Sequence, residues 1–209
     1  LGTDGDAYFE RNKHVQIVDH TSFNDPVMAL LPEHVFKKAG DVKAMLDFGG
    51  ANGWRGEFLR QQFGCDVAVL ERSFLARSAG QQQYPELLFT NTLETFENES
   101  KDFILVSFVF HWIPRHELLA TVAELDRVLV NGGHILIADF NVAVPRKVAY
   151  GHREGLWTYK QQYWDIFTST CCYEEVAALP YDYDTLRTEK PFEPTACAVL
   201  LKKQETYQQ

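Results

Sequence analysis

The sequence predicts an α/β fold: a mostly parallel central sheet, helices on both faces and an antiparallel hairpin strand at its C-terminal edge. Three observations carry this. From about residue 43 onward, apolar runs bounded by turn residues alternate with amphipathic segments of helix length. The run FILVSFVF over 103–110 is apolar almost throughout, as a strand covered on both faces must be. Two β-like runs then lie close together near the C-terminus, joined by a proline-containing turn.

In order, strands are expected over 43–47, 66–71, 87–90, 103–110 and 134–140, with helices near 55–62, 74–82 and 116–129. The last helix carries Leu118, Leu119, Val122, Leu125, Val128 and Leu129 at the three-four spacing of one buried face. Gly132-Gly133 stops it and turns the chain into the next strand. Ahead of the first strand, 6–10 and 26–38 read as helices, with Asp25-Pro26 as a start signal. Behind the last parallel strand come a long connection over 141–157, a helix over 159–178, and β-like runs at 183–189 and 195–202 around Pro191 and Pro194. With no internal repeat, low-complexity tract or linker, residues 1–209 read as one domain. It divides into an N-terminal helical cap (1–40), a core (41–140) and a substrate-side loop, helix and hairpin (141–209).

Composition narrows the function classes. Apolar residues make up 45% and charged residues 23% of 209, which excludes disorder, collagen and disulfide scaffolds. The 29 acidic and 20 basic residues leave a net charge of −9, a field that repels phosphate backbones, so no nucleic-acid partner is expected. No apolar run approaches the roughly 18 residues of a membrane span, and the opening LGTDGDAYFERNKHV holds no apolar signal core. Four cysteines, at 65, 171, 172 and 197, read as reduced, mostly buried thiols of a cytoplasmic protein, and Asn98-Glu99-Ser100 as a chance sequon. The chain has no C-x-x-C, H-E-x-x-H or G-x-S-x-G, and its seven histidines show no metal-ligand spacing, so no metal is expected.

The sharpest local signal is Met45-Leu46-Asp47-Phe48-Gly49-Gly50-Ala51-Asn52-Gly53-Trp54. An apolar strand ends at Asp47, turns through three glycines and opens a helix whose first N–H groups lack partners. Glycines there let a ligand approach the backbone and allow positive φ. The next strand, Val67-Ala68-Val69-Leu70, ends in Glu71, a carboxylate placed to accept hydrogen bonds from a ribose diol. A phosphate-binding P-loop fails, because no Lys-Ser/Thr follows the glycines. The dinucleotide fingerprint G-x-G-x-x-G is poorly met too, with Ala51 at its second glycine.

Asp47-x-Gly49-x-x-x-Gly53 followed by Glu71 resembles the cofactor site of class I S-adenosylmethionine (SAM) dependent methyltransferases, over about residues 40–140. The resemblance implies a Rossmann-like three-layer sandwich that binds SAM and releases S-adenosylhomocysteine. It places the turn of Asp47, Gly49, Gly50, Ala51 and Gly53 against the methionine part of the cofactor, and Glu71 on the ribose hydroxyls. Asn91 would lie near the adenine although the family often has Asp there, with Thr92 and Leu93 as wall residues. Arg72, Phe108 and Tyr8 complete the cofactor set, Tyr8 as an aromatic cover for the sulfonium or as a plain core anchor.

Acceptor chemistry is expected at the carboxyl ends of the strands. There Val109-Phe110-His111-Trp112-Ile113-Pro114 leaves His111 and Trp112 at the rim, as a base and a wall, or as wall and packing alone. Asp139 and Asn141 end the next strand, where the aspartate orients substrate, binds a cation or caps a turn. The 141–157 connection and its sequel hold Arg146, Lys147, Tyr150, His152, Arg153, Trp157, Tyr159, Lys160 and Tyr163. They form either a lid over an anionic or sugar-like substrate or a solvated basic surface. His111 and His152 are the catalytic candidates; Trp112, Asp139, Tyr150, Trp157, Tyr159 and Lys160 are the substrate candidates.

The expected activity is methyl transfer to an O or N atom of a small polar metabolite, by direct in-line displacement, with a homodimer as one expected assembly. A non-catalytic SAM-binding partner subunit and a methyltransferase acting on protein are the alternatives. A nicotinamide oxidoreductase is disfavoured by Ala51.

Overall fold

The computed structural model describes residues 2–12, 25–189 and 195–205. Its elements are α1 (Gly2–Asn12), α2 (Leu31–His34), β1 (Ala44–Phe48), α3 (Trp54–Phe63), β2 (Asp66–Leu70), α4 (Phe74–Gln83), β3 (Leu88–Thr90), β4 (Lys101–Ser107), α5 (Arg115–Val128), β5 (Leu129–Phe140), β6 (Arg146–Ala149), β7 (Trp157–Lys160), α6 (Trp164–Thr168), β8 (Tyr173–Tyr181) and β9 (Ala196–Lys203). Seven strands form one sheet in the order β3-β2-β1-β4-β5-β9-β8. The five from β3 to β5 are parallel, β9 runs antiparallel to β5, and β8 antiparallel to β9.

Alternate residues of the central strands bury on opposite faces, which explains why those strands read as continuous apolar runs. Leu46, Ile104, Val106, Ile135 and Ile137 pack on one face with Leu118 and Leu125 of α5 and Phe167 of α6. Met45, Val69, Phe103, Leu105 and Leu136 pack on the other with Met28, Leu31 and Leu59. The predicted mostly parallel sheet, flanked by helices and ending in an antiparallel hairpin, is therefore present.

The final third corrects several expectations. The helix expected over 159–178 is instead the end of β7, the short α6 and most of β8. β8 pairs with β9 from Tyr173↔Lys203 to Tyr181↔Ala196, and this pairing satisfies backbone groups that β9 would otherwise leave open. A bulge between Glu175 and Ala177 breaks its two-residue period, so Glu-Glu-Val-Ala-Ala-Leu reads as helix in isolation. Pro180 is tolerated because β8 is an edge strand. The expected strand over 183–189 is a turn, in which the Asp182 carboxylate accepts from the Thr185 N–H at 2.8 Å. Pro191 and Pro194 lie outside the described residues.

The 141–157 connection is not unstructured: β6 and β7 pair antiparallel as a separate ribbon, with Tyr150 N–H donating to Leu156 C=O across its turn. The strand expected to reach residue 110 ends at Ser107, and Phe110–Trp112 form one 3₁₀ turn. Of the helix expected over 26–38, only Leu31–His34 is helical; Asp25 accepts from the Val27 N–H at 3.0 Å in the turn ahead of it, and the helix itself has no side-chain cap. The thiols are all free, but only Cys65 and Cys197 are buried; Cys171 is exposed and Cys172 half-buried.

Leu136 is fully buried at the centre of β5. Leu136→Ala is expected to cost about 2–5 kcal/mol, read as a lowered urea midpoint with an unchanged denaturant slope.

Candidate functional site

The candidate cofactor turn, Glu71 and the His111 segment lie at the carboxyl ends of β1, β2, β4 and β5. After β1 the chain turns sharply, and Gly49 N–H donates to Leu70 C=O of β2 at 2.7 Å. Gly49 takes φ +72°, and a Cβ there would lie 2.3 Å from Val109 Cγ2. A Cβ on Gly50 would lie 2.4 Å from Asp47 Cγ. These glycines are thus demanded first by the protein's own close packing, which also seats the turn against the segment that leads into His111. Gly53 caps α3 at φ +80°.

Glu71 organises the same turn. Its Oε2 accepts from the Ala51 N–H at 3.0 Å, holding that non-glycine residue at φ +52°, and its Oε1 accepts from the Ser73 N–H at 2.8 Å. Burial raises the Glu71 pKa, while those N–H groups counter the rise. Each carboxylate oxygen keeps a second lone pair for a hydroxyl donor. Asp47 is 2% exposed, and its Oδ2 has no hydrogen-bond partner. Burial pushes its pKa up to about 6, against the pull of Arg55.

The acceptor side is built on β4 and β5. Phe108 leaves β4 with φ +56°, its N–H donating to Ala138 C=O at 2.8 Å, and the backbone folds back over β5. This brings His111, 5% exposed, onto the fully buried Asp139. His111 Nδ1 lies 3.0 Å from Asp139 Oδ1, and its backbone N–H donates to Oδ2 at 3.3 Å. The Phe140 N–H donates to Oδ1 as well, at 2.8 Å. A carboxylate facing Nδ1 assigns the ring proton to that nitrogen, which leaves Nε2 as the acceptor. Asp139 therefore holds both the backbone of the 3₁₀ turn and the His111 ring.

Aromatic rings extend from this pair in two directions. On one side His111 meets Trp112 at 5.2 Å between centroids, Trp112 meets Tyr150 at 4.8 Å, and Tyr150 meets His152 at 5.2 Å. On the other, Phe140 lies 5.0 Å from His111, with Phe108 and Tyr183 packed on it. The Lys160 ammonium sits 3.6 Å from the Phe140 ring centroid. Helix α1 closes over the rim: Asp6 Oδ1 accepts from Ser73 Oγ at 2.6 Å and from the Leu75 N–H at 3.1 Å. From the same helix Tyr8 abuts Trp112, and Arg11 donates to the Tyr150 hydroxyl at 2.9 Å. Tyr8 is half-exposed by its ring, yet burial pushes its hydroxyl pKa up to about 12, with Tyr183 and Tyr150 adding to the rise.

The remaining candidates are more peripheral. His152 is exposed on the ribbon turn, with Tyr150 and Trp112 between it and His111. Trp157 and Tyr159 share the ribbon face opposite to Lys160, and Lys147 lies 4.1 Å over the Trp157 ring. Asn91 and Thr92 are exposed beyond β3; Thr92 Oγ1 caps the next turn by accepting from the Glu94 N–H, and Leu93 packs on the core. Arg72 points away to Glu117 at 3.3 Å. Sequence reasoning passed over Phe140, Tyr183, Asp6 and Arg11. Phe140 was findable, since it follows Asp139 at a strand tip; the others meet the site only through tertiary contacts. Among the described residues no cluster of His, Cys, Asp and Glu could hold a metal, and no helix is long and apolar enough to cross a membrane.

The strand order, the glycine turn after β1 and the acid after β2 define a class I methyltransferase fold. The chain belongs to the methyltransferase domain family, whose model matches residues 10–179. Solved structures of similar fold include the Burkholderia thailandensis 1,6-didemethyltoxoflavin-N1-methyltransferase bound to 1,6-didemethyltoxoflavin and S-adenosylhomocysteine. It is 14% identical, with a TM-score of 0.73 over 98% of this chain and 88% of that one. A Haloferax volcanii protein in complex with the Trm112 methyltransferase activator is 15% identical, with a TM-score of 0.70 and all of both chains covered. A SAM-dependent methyltransferase of Archaeoglobus fulgidus is 12% identical, with a TM-score of 0.63 over 95% and 100% of the two chains. No curated protein sequence matches the chain.

Asp47 yields a pH signature. Its carboxyl has a higher pKa folded than unfolded, so folding favours the protonated form; stability falls as pH rises from about 4 to about 6 and stays lower above that. The penalty above pH 6 is on the order of 3 kcal/mol. Relative to the wild type, Asp47→Asn is expected to gain stability progressively across that window, checked by denaturant unfolding at pH 4, 5, 6 and 7.

Proposed function

We propose that this methyltransferase transfers a methyl group from SAM to an oxygen or nitrogen of a small polar metabolite by direct in-line displacement. The observation that carries the reading is the buried His111–Asp139 pair, set beside the glycine turn through the Gly49–Val109 contact. The residues present fit the cofactor. Glu71 offers paired acceptor oxygens to a ribose diol, and the unpartnered Asp47 Oδ2 together with the 49–53 turn suits the polar amino-acid part. When bound, SAM supplies a methyl group already activated by a positive sulfur, so no acid is required for the leaving group.

The chain's own residues then do three things. The turn, Glu71 and Tyr8 hold and cover the donor, which supplies alignment, the main demand of an in-line transfer. His111 Nε2 accepts the proton that the acceptor hydroxyl or amine gives up. Asp139, held in place by two backbone N–H groups, keeps the imidazole in the required tautomer and balances the charge it acquires. A non-catalytic binding subunit would have no use for a desolvated base–carboxylate pair. The Burkholderia thailandensis enzyme, solved with a small-molecule substrate, supports an acceptor of that size.

Glu71→Ala is expected to abolish most of the thermal stabilisation by SAM and S-adenosylhomocysteine. In the wild type that stabilisation reaches about 2.7 kcal/mol at 100 times the dissociation constant. With an acceptor in hand, His111→Ala is expected to lower kcat by about 10²–10⁴-fold while the affinity for S-adenosylhomocysteine is retained. Asp139→Asn should lower kcat in the same direction, and unchanged turnover in both variants would remove the general base from the scheme.

A further inference from the structure

The wall beside His111 is built almost wholly of rings. Phe108, Phe140 and Tyr183 meet one another at centroid distances of 5.5, 4.8 and 5.1 Å, and Phe140 and Phe108 both meet His111. Phe108 and Phe140 are half-buried, Phe108 against the core, while Tyr183 is 41% exposed and inclined to them by 59° and 48°, so the open ring of the cluster is Tyr183. Trp112 and Tyr150 continue the surface, but the Tyr150 hydroxyl is engaged by Arg11. Such a wall offers stacking to a flat ring and few hydrogen bonds to a polyol.

One charge stands out on that wall. Lys160 rests its ammonium on Phe140, the ring that also touches His111, and so base and ammonium lie within reach of a single ligand. Lys160 lies directly opposite Arg146 in the β6–β7 register, which puts two cations, Arg146 exposed and Lys160 half-buried, on one face of the ribbon in a chain of net charge −9. Among the described residues Lys160 makes no ion pair, and burial together with Arg146 pulls its pKa down, opposed by Asp139 and Asp184. A bound anion would relieve that repulsion.

Resting on the methyl-transfer reading, we infer that the acceptor is a planar aromatic or heteroaromatic acid. Its ring packs against the exposed Tyr183 at the edge of the Phe108–Phe140–Tyr183 cluster, its anionic group meets Lys160 and Arg146, and its hydroxyl or ring N–H faces His111 Nε2. A neutral aromatic would leave the cation pair unmatched; a saturated acid would forgo the stacking.

The test measures binding by calorimetry on the full chain, with and without S-adenosylhomocysteine. The probes are 4-hydroxybenzoate, 3,4-dihydroxybenzoate and 6-hydroxy-2-naphthoate, set against their methyl esters and 4-hydroxycyclohexanecarboxylate. At least one aromatic acid is expected to bind tenfold or more tightly than both its ester and the saturated acid. Lys160→Gln should reduce the acid-over-ester preference to about onefold and leave affinity for S-adenosylhomocysteine unchanged. Equal binding of acids and esters, preference for the saturated acid, no binding of any probe, or an unaltered preference in Lys160→Gln would each overturn the inference. If the acids bind with the expected preference but S-adenosylhomocysteine does not, the site's ligand class stands, and the methyl-transfer reading falls together with the acceptor role.

Discussion

The site depends on a single desolvated carboxylate. Asp139 is the penultimate residue of β5 and has no exposed surface, and a buried carboxyl is tolerable only when its lone pairs are filled. Here they are filled by the Phe140 and His111 backbone N–H groups and by the His111 ring. Meeting that demand forces the chain after β4 to fold back across β5, with Phe108 in the left-handed region that non-glycine residues adopt only at a cost of about 1–3 kcal/mol. Once His111 is fixed, Trp112 is fixed too, and it supports Tyr8 of α1 and Tyr150 of the ribbon. The rim is therefore assembled outward from one hydrogen-bonded side-chain pair.

The cofactor side follows the same economy by other means. Glu71 reaches across from β2 to hold Ala51 and Ser73, so the glycine turn is shaped by the carboxylate that also suits a ribose. Asp47 stands beneath the turn with an oxygen unsatisfied, which costs the fold stability at neutral pH. Buried acceptors without donors are rare in proteins and concentrate where a ligand supplies the donor. Stability withheld from the fold at Asp47, Ala51 and Phe108 is available as preorganisation of the site.

Closure of the rim rests on weaker, more exposed contacts. Helix α1 is tied to the cofactor side by Asp6 and Ser73, and to the acceptor side by Tyr8 on Trp112 and by Arg11 on Tyr150. The Asp6 carboxyl is held below its ordinary pKa chiefly by the Ser73 hydrogen bond. Phe9 of the same helix is buried and adds an apolar anchor to these polar and edge-to-face contacts.

The sequence alone determined what depends on local pattern. Continuous apolar runs set β1, β2, β4 and β5, because strands buried on both faces have no polar positions to alternate. The glycine spacing set the tight turn after β1 that Glu71 braces, and Pro114 set the start of α5; the break after β4 falls earlier, at Phe108, and was not legible. Tertiary structure alone decided what depends on distant partners. The segment around Glu174 to Leu179 became a bulged strand because β9 needed an edge partner, a gain that outweighs its helical composition. Asp139 joined His111 across 28 positions, and Asp6 joined Ser73 across 67, pairings that carry no periodic trace in the sequence. Short-range spacing is written in the chain because helices and strands repeat; side-chain meetings between elements are set by sheet order and burial, which only the folded chain supplies.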